Sequence, residues 1–280
     1  MFANVPGLPA APPASGLVAA AARPDTTSPE WARWEQGLAW VSERCGAGWQ
    51  LVPWCTDPDV EGYEPPRPGS GHYRPVGLRV ADQCSTLNGR PDDERSLRIA
   101  EATTSFAVAR ELWTGVGTQD DPYSVPGAVG DQSNAWLASP DADVVGAGPL
   151  APLAAFGRLE QAAMEESRGQ QVFLHAPVML LPQLSEAFRN VGGQLITHSG
   201  NVLVADAGYP GTGPAGQAVG ATAWMYATTP VPVLLSPWDA VQGEAQRVDS
   251  RTNTRTTWLS RVFAAPLDPC VHLAAEATID

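Results

Sequence analysis

The sequence predicts an α+β protein built from one long helix, a compact strand–helix lobe and extended connecting segments. Three observations predict it. Residues 91–115, "PDDERSLRIAEATTSFAVARELWTG", hold helical spacing without interruption. Residues 145–238 alternate helix-like and strand-like runs. Glycine and proline number 27 each in 280 residues, which favours turns and extended chain over a helix bundle.

The N-terminal stretch, "MFANVPGLPAAPPASGLVAAAARPD", has no basic residue before Arg23. Its apolar run is too short for a secretion signal or a membrane span, so it reads as a Pro/Ala-rich extended arm on a soluble intracellular protein. Such an arm holds few contacts of its own, and removal of residues 1–27 is expected to leave a soluble fold while impairing assembly. Residues 28–46, "SPEWARWEQGLAWVSERCG", read as a helix: Ser28 is a good cap, Pro29 fits the first turn and Gly46 the stop. Trp31, Trp34 and Leu38 share one face, with Trp40 nearby. That face is either buried locally or docked on a neighbouring subunit.

Residues 51–90 read as a long hairpin-like excursion, flanked by the extended stretches "WQLVPW" and "VGLRVADQC" and too polar at its tip to pack on its own core. In the long helix, Ile99, Ala102, Phe106, Ala109 and Trp113 form one predicted apolar stripe, and Gly115 ends it. At 1.5 Å per residue it is roughly 35 Å long, enough to lie across a sheet as the spine of a domain. After a loop-like stretch over 116–150, "PLAAFGRLEQAAMEESRG" predicts a second helix with Pro152 in its first turn and Leu153, Phe156, Leu159 or Glu160, and Ala163 along one side. "QQVFLHAP" predicts a strand, "PQLSEAFRN" a short helix stopped by Gly192 and Gly193, and "QLITHSG", "NVLVADAG" and "AWMYATTPVPVLL" three further strands. The tail alternates with period two. Arg251, Asn253 and Arg255 would share one face, and Thr252, Thr254, Thr256 and Trp258 the other. "CVHLAAEATID" closes as a strand.

Composition removes several chemistries. All 17 basic residues are arginine, so Schiff-base lysines, a P-loop lysine and lysine nucleophiles are excluded. A net charge of −13 disfavours gripping nucleic acid by its phosphates. Cys45, Cys55, Cys84 and Cys270 match no zinc spacing and read most simply as reduced thiols. A bridge between Cys45 and Cys55, or between Cys84 and Cys270, stays open. Gly211, Gly213 and Gly216 spell G-x-G-x-x-G, but Pro214 interrupts the loop and β-branched sequence, not a helix, follows it. A turn between strands is the simpler reading. His175, His198, Ser199 and Asp206 supply the letters of a hydrolase triad without a G-x-S-x-G elbow. The four histidines form no metal-binding pair, and the acidic clusters "TDPDVEG" and "TQDDPY" lack calcium-loop spacing. No catalytic, cofactor-binding or metal residue is therefore assigned.

The order of parts resembles the major capsid protein of tailed double-stranded-DNA bacteriophages, a fold shared with encapsulin compartments. The resemblance rests on "PLAAFGRLEQAAMEESRGQQVFLHAPVMLLPQL", on "GGQLITHSGNVLVADAGYPGTGP" and on the arginine-bearing tail "RVDSRTNTRTTWLSRVFAAPLDPCVHLA". The use of arginine for every basic residue reads as GC-rich coding, which looks like that of an actinobacterial phage. The resemblance implies an N-terminal arm and helix over 1–50, an extended loop over 51–90 and a spine helix with the peripheral lobe over 91–144. An axial lobe over 145–238 and strands returning to the peripheral lobe over 239–280 complete it. It further implies a non-enzymatic subunit that self-assembles into hexamers and pentamers around DNA, made in the host cytoplasm and residing in the virion. Scaffold, portal and decoration proteins are implied partners, and no membrane or cofactor is. Lacking lysine, the chain cannot supply the nucleophile of the isopeptide bonds that weld some relatives' shells. Alternatives are a connector or tail component, an encapsulin-like shell, or, in a different class, a hydrolase using His175 or His198.

Overall fold

The computed structural model describes residues 14–29, 31–41, 70–85, 93–119, 134–240, 247–249, 251 and 254–279. In chain order the elements are α1 (Leu17–Ala20), β1 (Leu38–Val41), β2 (Ser70–Tyr73), β3 (Val76–Ser85), α2 (Asp93–Thr114), α3 (Val116–Gln119), β4 (Asp143–Val144) and α4 (Pro152–Glu166). They continue with β5 (Phe173–Pro177), β6 (Phe188–Val191), β7 (Gln194–Thr197), β8 (Val202–Asp206), β9 (Thr222–Thr228), β10 (Leu234–Leu235), β11 (Asp239–Ala240), β12 (Arg247–Asp249), β13 (Thr254–Ala264) and β14 (His272–Thr278).

A seven-stranded sheet, β4-β14-β9-β5-β8-β7-β6, forms the centre. Its inner strands are apolar on both sides because both sides are covered. Phe173, Val202, Val204, Trp224, Tyr226 and Ala274 face Leu17 of α1 and Val108, Leu112 and Trp113 of α2. Their neighbours Leu174, Leu203, Met225, Leu273 and Ala275 face Phe156, Leu159 and Ala163 of α4. The period-two alternation of a strand thus sorts one continuous apolar sequence into two cores. A second sheet pairs β3 antiparallel with β13 along ten residues, from Val76 opposite Phe263 to Ser85 opposite Thr254, and β10, β11 and β12 add to β13. Along β3, Val76, Leu78, Val80 and Asp82 turn inward while Gly77, Arg79, Ala81 and Gln83 are exposed. The third sheet is the β1–β2 pair, Leu38 opposite Tyr73 and Val41 opposite Ser70.

Several expectations need correction. The helix expected over residues 28–46 is absent from the part that is described, residues 28–29 and 31–41. A single 3-10 turn over Trp34–Gln36 ends at Gly37, whose φ of 121° no helix accommodates, and β1 follows. Trp34 lies in a small core with Tyr73, Leu234 and Ala264, so local burial accounts for that tryptophan. Residues 182–190 are not helical either. A 3-10 segment over Val178–Leu184 contains Pro182, and β6 and β7 then form a hairpin. Gly192 and Gly193, at φ 61° and 94°, make the two-residue turn that this hairpin needs rather than a helix stop. The strands of residues 239–280 divide between two sheets. The β11–β13 strands join the second sheet, but β14 inserts between β4 and β9 in the central one, where its apolar residues are covered on both faces.

The arm also departs from expectation. Residues 14–24 fold on the body of their own chain: Leu17 is fully buried, Ala205 N–H donates to the Ser15 carbonyl at 3.0 Å, and Val233 N–H donates to the Ala22 carbonyl at 3.0 Å. Removal of residues 1–27 would therefore strip core side chains, not only assembly contacts. The excursion's tip, the "WQLVPW" stretch, the acidic residues of both clusters, Cys45, Cys55, Thr252 and Asn253 lie outside the described residues. Cys270 is disulfide-bonded, so the reduced-thiol reading fails there.

Candidate functional site

The long helix is the part on which the other elements are assembled. It is 22 residues long and ends where Gly115, at φ 62°, donates to the Glu111 carbonyl at 2.7 Å. Its buried face shares only Ala109 and Trp113 with the predicted stripe; Ile99 and Ala102 are half-buried. Ser96, Ala100, Thr104, Ser105, Val108, Ala109, Leu112 and Trp113 are buried, whereas Phe106 is 47% exposed and Leu97 42%. The inward face is rotated by roughly a third of a turn from the apolar letters.

The polar residues on that face explain the rotation, because each serves a buried or half-buried charge. Ser96 donates to Asp82 on β3 at 2.9 Å, and Arg95 pairs with the same carboxylate at 3.3 Å. Glu101 accepts from Arg261 of β13 at 3.1 Å. That arginine also holds the Ser236 carbonyl through Nε at 3.0 Å and Nη2 at 2.6 Å, and lies 4.8 Å from the Trp238 ring. Ser105 donates to Asp206 of β8 at 2.8 Å. The other donors to Asp206 are Leu17 N–H at 3.2 Å and Gly208 N–H at 2.9 Å. Three clamps along one helix thus join the N-terminal segment, the long β3–β13 sheet and the central sheet. A buried carboxylate with three donors is satisfied, and removing any partner leaves a desolvated charge short of its bonds.

The residues singled out for chemistry are placed as follows. His175 is fully buried. The Thr228 hydroxyl spends its proton on the Thr229 carbonyl at 2.7 Å, so at 2.9 Å from His175 Nε2 it accepts. His175 is therefore protonated on Nε2, and Nδ1 accepts from the Tyr209 hydroxyl at 2.8 Å. Burial, with His272 adding to it, holds the imidazole neutral and lowers its pKa to about 3. Both nitrogens are occupied inside a sealed core next to the Trp113–Tyr209 ring pair, and no carboxylate orients the ring. Asp206, the would-be triad acid, serves the helix instead. His198 is exposed beside Ser199 and contacts the Glu186 carbonyl at 3.0 Å. The fold does not bring the triad letters together.

The glycine fingerprint is a turn. Gly211 and Gly216 take φ of 81° and 80°, and Pro214–Gly216 is one 3-10 turn leading to β9. Gly213 N–H donates to the Gln217 carbonyl and Gly216 N–H to the Gly213 carbonyl, so these donors are spent inside the loop. A side chain at Gly213 would collide with the Trp224 indole, which gives the glycine a packing reason. Among the described residues no group of three His, Cys, Asp or Glu side chains is placed to hold a metal ion, and no helix is long and apolar enough to cross a membrane.

Several large apolar side chains lie at the surface. Phe106 and Val116 project from the α2–α3 region, and Val178, Met179 and Val191 from the β5–β7 end. Trp31, Leu38 and Trp40 line an open groove of about 380 Å³. The sequence held no periodic signal for this groove, because its walls come from three distant stretches of chain.

No family model matches the sequence, and no curated protein does. The fold has solved counterparts. The chain is similar to one from Mycobacterium phage Ogopogo (13% identity, TM-score 0.52, covering 99% of this chain and 96% of that one). It is similar to one from Gordonia phage Cozz (12% identity, TM-score 0.51, covering 99% and 90%). It is also similar to the capsid of an empty GTA particle computed with C5 symmetry (12% identity, TM-score 0.52, covering 99% and 93%). The chain has the phage capsid fold, an α+β arrangement with few helices and several sheets. At such low identity the backbone path is shared and the side chains are not.

Proposed function

We propose that the chain is the structural subunit of an icosahedral phage head, a protein that self-assembles into hexamers and pentamers around a DNA genome and performs no catalysis. One observation carries the reading: the likeness to the GTA particle capsid runs through almost the whole of both chains, so no part is left over for a different task. The clamps on α2 fit a load-bearing role, since they tie the sheets and the N-terminal segment to one rigid rod. The net charge of −13 fits a wall that confines DNA without adhering to it. In this reading α2 with the β3–β13 sheet is the peripheral lobe, and the central sheet with α4 is the axial lobe. Portal, scaffold and decoration proteins are its further partners in the virion. The folding of residues 14–24 onto their own body removes one earlier reason for expecting assembly, so the reading rests on the fold.

Light scattering coupled to size-exclusion chromatography tests it, followed by negative-stain electron microscopy. Closed shells of megadalton mass are expected. A stable 29.5 kDa species at high concentration, or rings or tubes in place of shells, would overturn it.

A further inference from the structure

A second cavity, of about 300 Å³, lies where the N-terminal segment meets the long helix. Arg23 and Thr26 line it from the N-terminal segment, Glu101 and Thr104 from α2, and Arg261 from β13. Its charged lining sets two arginines against one carboxylate, so it is a net positive spot on a chain whose net charge is −13.

Arg261 is fixed before anything binds. Its side chain is 7% exposed, its Nε and Nη2 hold the Ser236 carbonyl, and its guanidinium lies over the Trp238 ring. Nη1 donates to Glu101 at 3.1 Å and, at a long 3.4 Å, to the Thr104 hydroxyl. A guanidinium carries five N–H donors. These contacts occupy all but one of them, and the remaining N–H, on Nη2, has no acceptor among the described residues. A cation whose position is already set loses little freedom when it takes a ligand.

Arg23 brings the second charge. Its side chain is exposed, and it makes no hydrogen bond or ion pair among the described residues. The backbone beside it is pinned, because the Ala22 carbonyl accepts from Val233 N–H at 3.0 Å. The two guanidinium groups are close enough to act on each other: burial lowers the pKa of Arg261, Glu101 opposes that shift, and the Arg23 charge adds to it. Like charges held together are relieved by an anion between them. Arginine forks match the paired oxygens of a carboxylate or a phosphate. The donors here come from separate elements, Arg23 and the Thr26 hydroxyl from one and Arg261 from another, and a tetrahedral anion presents oxygens in more directions than a flat carboxylate does.

We propose that the pocket between Arg23 and Arg261 binds one phosphate group, either free phosphate or a single phosphate of a nucleic-acid backbone. The inference goes beyond the shell reading and is tested without it.

The experiment is equilibrium dialysis of the full chain against radiolabelled inorganic phosphate at constant ionic strength. Saturable binding of one phosphate per chain is expected. Arg23→Gln should weaken it at least about tenfold. Arg23 is exposed and holds no described partner, so the variant should keep the unfolding midpoint of the intact chain. Glu101→Gln leaves Arg261 an acceptor but removes the competing charge, and should tighten binding at least about threefold. Acetate in equal amount should not displace the phosphate. No saturable binding, an affinity indifferent to Arg23→Gln, unchanged or weaker binding in Glu101→Gln, or displacement by acetate would each overturn the proposal. Thymidylyl-thymidine as competitor separates the two sources: displacement shows that a backbone phosphate fits the pocket, and its failure to compete assigns the pocket to free phosphate.

Discussion

The Ser105 hydroxyl, on the long helix, donates a 2.8 Å hydrogen bond to the buried carboxylate of Asp206, on a strand one hundred and one residues later. The same carboxylate takes the first backbone N–H of α1 and the N–H of Gly208. Asp206→Ala leaves three buried donors unpaired and is expected to cost about 3 kcal/mol, against about 1–2 kcal/mol for Ser105→Ala. Urea unfolding measures both. If the bond is direct, the double mutant loses less than the sum of the single losses; strict additivity would show that the two residues act independently.

The N-terminal segment separates into two parts with opposite expectations. Deleting residues 2–13 removes no side chain of the described core, and the unfolding midpoint should stay within error of the intact chain. Deleting through Ala21 takes away Leu17 and Val18, which are 0% and 8% exposed, and the N–H that Asp206 binds. That truncation should lose 3 kcal/mol or more, roughly the cost of emptying a buried leucine site together with one hydrogen bond to a charge. Denaturant titration of the two deletions side by side is the measurement. Equal stability of both would show that residues 14–21 are not part of the core.

How far the sequence was legible depended on which physical signal each element relied on. Elements whose letters and environment agree were readable: Pro152 opens α4, Gly115 closes α2, and the apolar run of residues 202–206 is a strand covered on both faces. The face of α2 was not. The hydroxyls of Ser96, Thr104 and Ser105 turn inward to serve Asp82, Arg261 and Asp206, while Phe106 turns outward, so apolar spacing points the wrong way. The helix expected from residue 28 onward failed for another reason. At residues 38–41 helical propensity is overridden by pairing with residues 70–73, 29 to 35 positions along the chain, and local spacing contains nothing about a partner that distant. Asp206's task was not legible either, since its partners Leu17, Ser105 and Gly208 come from three separated segments.

Two glycines should respond to alanine with opposite signs. A Cβ on Gly208 would press on the Phe106 carbonyl, on Arg110 N at 2.8 Å and on the Ala109 methyl at 2.9 Å, all on the α2 backbone side, which cannot move without shifting the helix. Gly208→Ala is expected to cost about 1–3 kcal/mol. Gly157 lies exposed inside α4 with no atom near its would-be Cβ, so Gly157→Ala should gain roughly 0.5–1 kcal/mol from lower unfolded-chain entropy. Thermal unfolding of the two variants decides it. A neutral Gly208→Ala would mean that the helix and the loop following β8 are not in close contact.

Acid should loosen the core through His175. Its folded-state pKa is depressed to about 3 by burial, with His272 nearby shifted in the same direction by the same cause. The unfolded chain binds the proton at the ordinary value near 6.5, so between pH 6.5 and 3 the unfolded state holds more protons than the folded one. Stability therefore falls as pH drops through that window, by up to about 1.4 kcal/mol per pH unit for each such group, and is flat with respect to these groups above it. The facing groups sharpen the expectation: Tyr209 has its hydroxyl pKa raised by burial and by Asp206, so it stays a neutral donor throughout and offers no charge to rescue an imidazolium. Urea midpoints at pH 7.5, 6.0 and 5.0 should decline stepwise for the intact chain. His175→Gln retains a donor and an acceptor without a titrating ring; it should be less stable at pH 7.5 yet show a shallower decline. An unchanged slope in that variant would assign the acid sensitivity to other groups and leave His175 a purely steric part of the core.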